Sequence, residues 1–264
     1  MKTAINKTLF VLMLIATFIG KGQTTKVDHV NLQKTDTPLT FLFVHGAWGG
    51  GWEYAKMDSI LTKKGHNVFH PTLTGLGERV HLANKEINLT THITDIVNVI
   101  KFENLESIIL VGHSYGGMVI SGVAENIPER IDQLIYLDAF VPNDGESVES
   151  INGEEVWNVM IVPKINDGFV LYPFGPTKAT PPTDVPQPLK TFTEALTIKN
   201  PLVKKIPTSF ILMKEDEKAT FEEWGAKKAL LNGWKIYEME GGHYAMRDQP
   251  EKLVEKLELI LRDR

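Results

Sequence analysis

The 264-residue sequence contains no cysteine. That absence excludes disulfides, thiolate metal sites, a cysteine nucleophile and lipid attachment through a thiol. Basic clusters are missing too. Lys and Arg total 28 against 33 Asp and Glu, a formal charge of −5, with no Lys/Arg-rich stretch that would suit nucleic acid. Internal repeats, heptads and low-complexity tracts are also absent. Apolar runs are short: Leu9–Ile19 falls below the ~20 residues that a membrane span needs. That run follows Lys2 and Lys7 and precedes Gly20 and Gly22, the order of a secretory signal peptide. Residues 1–22 are therefore expected to direct export to a periplasmic or secreted location, with no stable membrane insertion after cleavage. Cleavage removes Lys2, Lys7 and Lys21 and no acid, taking the charge from −5 to −8. An exported chain without disulfides must rely on its apolar core, and roughly 240 residues suffice for one.

What is present is an alternation of continuous apolar segments with amphipathic ones. Strands are expected at Leu39–Val44, Asn67–His70, Ser107–Val111, Ile131–Phe140, Thr208–Met213 and Lys235–Met239. Helices are expected at Trp52–Leu61, Thr90–Phe102, Tyr115–Asn126, Phe221–Leu231 and Pro250–Leu261. Between Thr90 and Phe102, Ile93, Ile96, Val97 and Ile100 recur at helical period. Unbroken apolar strands alternating with helices predict an α/β fold, a mostly parallel sheet flanked by helices. The rhythm breaks between Pro142 and Pro207, where prolines mix with Trp157, Met160, Phe169, Tyr172 and Phe174. Large apolar residues at that density indicate a folded insertion, residues 143–205, rather than a linker. The core then comprises residues 23–142 and 206–264.

The stretch Gly112-His113-Ser114-Tyr115-Gly116 is G-x-S-x-G between an expected strand and an expected helix. In that context the serine sits on a sharp bend that lifts its hydroxyl clear of the sheet. A hydroxyl needs a base to become nucleophilic. Chain order places that base in a loop after the last strand, where "EMEGGHYAM" supplies His243. His113 is expected to point into the strand–helix junction and His45 to lie in the loop after the first strand. His66, His70, His81 and His92 form no metal-ligand spacing, and neither metal nor cofactor is expected. The acid that orients the imidazole is expected after the preceding strand, at Asp216, with Asp138 at the end of "IYLDAF" as its competitor. Two N–H groups should hold the oxyanion: Tyr115, after the nucleophile, and Ala47 in the "HGAW" loop.

Together these pieces resemble the α/β-hydrolase superfamily over nearly all of residues 39–262. "FVHGAWGGGWEY", "GHSYGGMVI", "YLDAFVP" and "GGHYAM" are similar to its branch of plant methylesterases and hydroxynitrile lyases. "TGLGERVHL" and "LDAFVPNDGES" resemble the bacterial members of that branch, esterases of the pyrethroid-hydrolase type. The resemblance implies a Ser–His–Asp triad, here Ser114, His243 and Asp216, with no cofactor and a small, mainly helical cap over the pocket at 143–205. It also separates two chemistries. The lyases carry a lysine after the catalytic histidine and a threonine after the oxyanion-loop histidine, whereas this chain has Tyr244 and Gly46.

The expected activity is hydrolysis of small to medium hydrophobic carboxylic esters through an acyl-enzyme. Trp48, Phe140, Trp157, Met160 and Phe174 are the candidate lining of the substrate pocket. A lyase, or a ligand-binding homologue that keeps the pocket without turnover, are the alternatives. Glu78 and Arg79 are expected to fix the glycine-marked loop as an ion pair rather than to meet substrate.

Overall fold

The computed structural model describes residues 37–215 and 221–263. The expected signal peptide and Asp216 lie outside the described residues.

Strand β1 (Thr40–Val44) leads through a 3-10 turn into helix α1 (Ala55–Lys63). Gly65, at φ +93°, ends that helix in the left-handed region that a side chain disfavours. The chain continues through β2 (Asn67–Phe69), α2 (Leu89–Phe102), β3 (Ile108–His113), α3 (Gly116–Asn126) and β4 (Ile131–Leu137). Asn88 opens α2 with a capping box, its side chain accepting from Thr91 N at 2.9 Å. The insertion holds α4 (Val148–Val156), β5 (Ile165–Asn166), β6 (Phe169–Val170), β7 (Gln187–Pro188) and α5 (Lys190–Thr193). After it come β8 (Thr208–Lys214), α6 (Lys227–Leu231), β9 (Lys235–Glu240), α7 (Ala245–Asp248) and α8 (Pro250–Arg262).

The large sheet has the order β2-β1-β3-β4-β8-β9, and every pairing in it is parallel. Alternation along the strands divides the core in two. Phe41, Phe43, Ile109, Val111, Ile135 and Leu137 face α1 and α8, where Met57, Leu61, Leu253 and Leu257 are buried. Leu42, Val44, Ile108, Leu110, Leu134 and Tyr136 face α2 and α3. Helix α3 is buried along Gly116–Ala124, so it sits directly on the sheet.

This topology places the site. From β1 the chain goes to β2 on one side and then crosses to β3 on the other. The carboxyl ends of β1 and β3 are therefore the topological switch point, where open parallel sheets form a ligand crevice. Ala47 lies on the loop leaving β1 and Ser114 on the loop leaving β3.

The insertion is mainly helical, as expected, and carries one feature beyond that expectation. It combines helical turns with a three-stranded antiparallel sheet, β5-β6-β7. Its strands are two residues long, too short for any alternation to show in the sequence. Pro188 sits at its edge, a place where the lack of an N–H costs no ladder bond.

Candidate active site

Ser114 follows β3 with φ at +54°, a left-handed conformation rare for a residue with a side chain and costing about 1–3 kcal/mol. Its carbonyl accepts from Gly117 N at 3.0 Å and Phe140 N at 3.1 Å, and its N–H donates to Leu137 O at 3.3 Å. The flanking glycines are required by close approach. A Cβ on Gly112 would stand 2.6 Å from Gly116 O, and one on Gly116 would stand 2.5 Å from Val44 O. The bend can form because helix α3 meets the sheet backbone to backbone.

His243 Nδ1 lies 2.6 Å from Asp138 Oδ2. The other oxygen of Asp138 accepts from Met213 N at 3.1 Å, and its own N–H donates to Ile211 O at 2.8 Å. Asp138 is 2% exposed and, like Ser114, has a positive φ, +42°. Chain order placed the acid at Asp216, but the structure gives the imidazole Nδ1 to Asp138. Strand β4 lies beside β3, so its carboxyl end abuts the histidine loop, and the order Ser…Asp…His is met equally by Asp138. With Nδ1–H donated to this carboxylate, Nε2 is the ring's free acceptor.

Two contacts that the sequence did not disclose complete the setting of His243. Its ring stacks on Phe221, centroids 4.9 Å apart and planes within 1°. His113 Nε2–H donates to the His243 carbonyl at 2.9 Å, and the two rings lie 4.3 Å apart. His113 therefore reaches the histidine loop rather than ending in the strand–helix junction. Its place beside the serine was the available signal.

No hydrogen bond among the described residues uses the N–H of Ala47 or Tyr115. Both residues are buried and both belong to loops at the crevice. His45 holds the first of these loops. Its Nε2 accepts from Leu73 N at 3.0 Å, which makes Nδ1–H the donor to Gly46 O at 2.8 Å. Burial drives its pKa down to about 4, and His92, which bridges the Tyr115 hydroxyl and Thr74 O, is lowered to about 4 by the same cause. Both are neutral structural histidines.

The Glu78–Arg79 segment does fix its loop, but through other partners. Glu78 accepts from the Thr72 hydroxyl at 2.8 Å, while Arg79 donates to Thr72 O at 2.8 Å and lies 3.7 Å from Asp95.

The candidate pocket residues separate into groups. Trp48 packs edge-on against Tyr172 and Phe174, at 5.8 and 5.9 Å. Phe140 contacts Phe221 at 5.1 Å, which links it to the His243 ring. Trp48, Phe140 and Trp157 are all buried in one core cluster, whereas Met160 and Phe174 are exposed. A cleft of about 310 Å³ opens beside Tyr172, between residues 171–177 and 184–186.

Where the lyases have lysine, Tyr244 carries the Arg247 guanidinium 3.7 Å over its ring. That cation also lies 3.6 Å from Glu53, a carboxyl 3% exposed whose Oε2 has no hydrogen-bond partner among the described residues. Burial pushes the Glu53 pKa up to about 8, Arg247 pulls it back and Asp184 adds to the rise.

These groups set a pH dependence of stability. His45 and His92 refuse protons that the unfolded chain accepts below about 6.5, and His113, held well below its usual range by burial and His243, does the same. Stability then falls as pH drops from about 6.5 toward 4, by roughly 1.4 kcal/mol per pH unit per histidine. Glu53 has the opposite sign: folded protein keeps a proton that the unfolded chain has lost, so stability falls as pH rises from about 4.5 to 8. Three histidines outweigh one carboxyl below 6.5, and Glu53 acts without them above it. Tm measured from pH 4.5 to 9 should peak near 6.5. Glu53→Gln should flatten the alkaline limb and leave the acid limb. An unchanged alkaline limb contradicts the assignment.

The family model described as "Alpha/beta hydrolase family" matches residues 41–256. The chain belongs to this family. A carbendazim hydrolyzing esterase from Nocardioides sp. (strain SG-4G) is 34% identical over 240 residues, covering 82% of this chain and 97% of that protein. Salicylic acid-binding protein 2 of Nicotiana tabacum is 32% identical over 104 residues, 39% of this chain and 40% of its own length. Among solved structures, an extracellular alpha/beta-hydrolase from a Paenibacillus species superposes with a TM-score of 0.71. It is 25% identical, covering 83% of this chain and 98% of that one, and is described as sharing structural and functional homology with the tobacco protein. In α/β-hydrolase terms the six parallel strands flanked by helices are the core of the fold, and Ser114 stands at the bend between β3 and α3.

Proposed function

We propose that this α/β-hydrolase is a serine esterase that cleaves small to medium hydrophobic carboxylic esters, acting after export. The observation that carries the mechanism is the His243 Nδ1–Asp138 contact at 2.6 Å beside the strained Ser114 bend. The ester carbonyl oxygen sits between the N–H groups of Ala47 and Tyr115. His243 Nε2 takes the Ser114 proton as Oγ attacks the carbonyl carbon, and Asp138 stabilises the imidazolium. The tetrahedral oxyanion collapses, the C–O bond to the alcohol breaks, and His243 protonates the leaving alkoxide. Water repeats the sequence on the acyl-enzyme and releases the acid with Ser114 restored.

The named esterase relatives support the reaction class, and the apolar rings Trp48, Phe140 and Phe174 support hydrophobic substrates, with residues 143–205 as the cap. Tyr244 and Gly46 at the lyase-distinguishing positions favour hydrolysis, and Arg247 is engaged by Glu53 and Tyr244.

The test is release of p-nitrophenol from acetate, butyrate and octanoate esters together with stoichiometric labelling of Ser114 by an active-site phosphonate. Turnover with labelling is the expected result, and the chain-length preference sizes the pocket. Labelling without turnover would favour a binding homologue. Neither labelling nor turnover would overturn the esterase assignment.

A further inference from the structure

Trp48 follows Ala47 in the oxyanion loop and has φ at +63°, a conformation that a bulky residue does not hold unaided. Three hydrogen bonds from the insertion hold it there. Its N–H donates to Gln187 Oε1 at 2.8 Å, its carbonyl accepts from Val185 N at 2.9 Å, and its indole Nε1–H donates to Val170 O at 2.9 Å. Val170 and Gln187 are direct partners in the small antiparallel sheet, so adjacent strands grip the backbone and the side chain of one residue.

Gln187 is itself fixed. It is fully buried, its Nε2 donates to Thr191 Oγ1 at 2.8 Å, and that hydroxyl donates to Pro188 O at 2.7 Å. The amide is thus oriented from behind, with its oxygen aimed at Trp48 N. A glutamine supplies an acceptor and a donor on one rigid amide, which this chain of contacts uses at both ends.

We infer that Gln187 is a positioning residue of the oxyanion hole: through the Trp48 N–H and the Gln187–Thr191 relay, the insertion sets the loop geometry that aims the Ala47 N–H. This rests on the esterase reading above. An oxyanion donor acts on charge that develops in the transition state, so a loop that drifts loses transition-state binding more than ground-state binding. The small sheet is then part of the catalytic apparatus, holding the oxyanion loop from across the crevice.

The experiment compares wild type, Gln187→Leu and Thr191→Val for p-nitrophenyl butyrate hydrolysis, for affinity toward an aliphatic trifluoromethyl ketone and for Tm. The ketone forms a charged tetrahedral adduct with the serine and so reports the oxyanion hole without turnover. Gln187→Leu should lower kcat by about 10- to 100-fold with KM within about threefold, and ketone affinity should fall in step with kcat/KM. Thr191→Val keeps the Gln187 oxygen and loses its support, so kcat should drop about threefold with the same pattern. If Gln187→Leu does not fold, Thr191→Val carries the test. Wild-type kcat and ketone affinity in the variant that folds would overturn the inference, as would a loss confined to KM. A wild type that neither hydrolyses the ester nor binds the ketone would instead overturn the esterase reading on which the inference rests.

Discussion

Ser114→Ala should lower ester turnover by on the order of 10⁴-fold or more, while the fold persists. Such losses follow when the nucleophile of a triad is removed, because the residual rate comes from binding and the oxyanion hole alone. The position can accept alanine. The strained φ of +54° is held by backbone bonds to Leu137, Gly117 and Phe140, none of which uses the hydroxyl. The comparison is kcat/KM on p-nitrophenyl butyrate beside Tm for both proteins. A Tm within a few degrees and a turnover near background support the nucleophile assignment. More than about 1% residual activity, with contaminating esterase excluded by phosphonate titration, would pass the role to another group.

Asp138→Asn carries the second-largest expected effect, a loss of roughly 10² to 10⁴ in kcat. Asparagine is close in shape and can still accept from Met213 N through its amide oxygen. It then presents an NH₂ to His243 Nδ1, which turns that nitrogen into the acceptor and moves the ring proton to Nε2, where it blocks abstraction from Ser114. Asp216→Asn is expected to stay within about threefold of wild type, since Nδ1 is engaged by Asp138 at 2.6 Å. The two variants measured side by side decide between the carboxylates. A large loss in Asp216→Asn with Asp138→Asn near wild type would reverse the assignment and return the acid to the place that chain order suggested.

Much of the architecture was legible in the sequence because its signals are local. The β/α alternation follows from side-chain periods of 2 and 3.6, which do not depend on distant partners. Leu89–Phe102 matches the expected helix to within one residue, and the strands begin within one residue of their expected positions. The elbow was legible for a similar reason: Gly112 and Gly116 mark an approach within five residues of chain, and the structure shows the contacts that exclude a Cβ at each. Segment 221–231 was harder, since its first turn is π-helical before α6 begins. The small sheet of the insertion left no trace, because strands of two residues have no periodicity.

By itself, the sequence determined the parallel α/β core, the serine at a strand–helix bend and the histidine in the loop after the last strand. Each is encoded within a short window of chain. Only the tertiary structure decided which carboxylate meets the imidazole and what holds the loop after β1 at Trp48. Asp138 and His243 are 105 residues apart, and Trp48 and Gln187 are 139 apart. Contacts at those separations depend on which strand ends neighbour each other and where an insertion returns, and residue spacing carries no information on either.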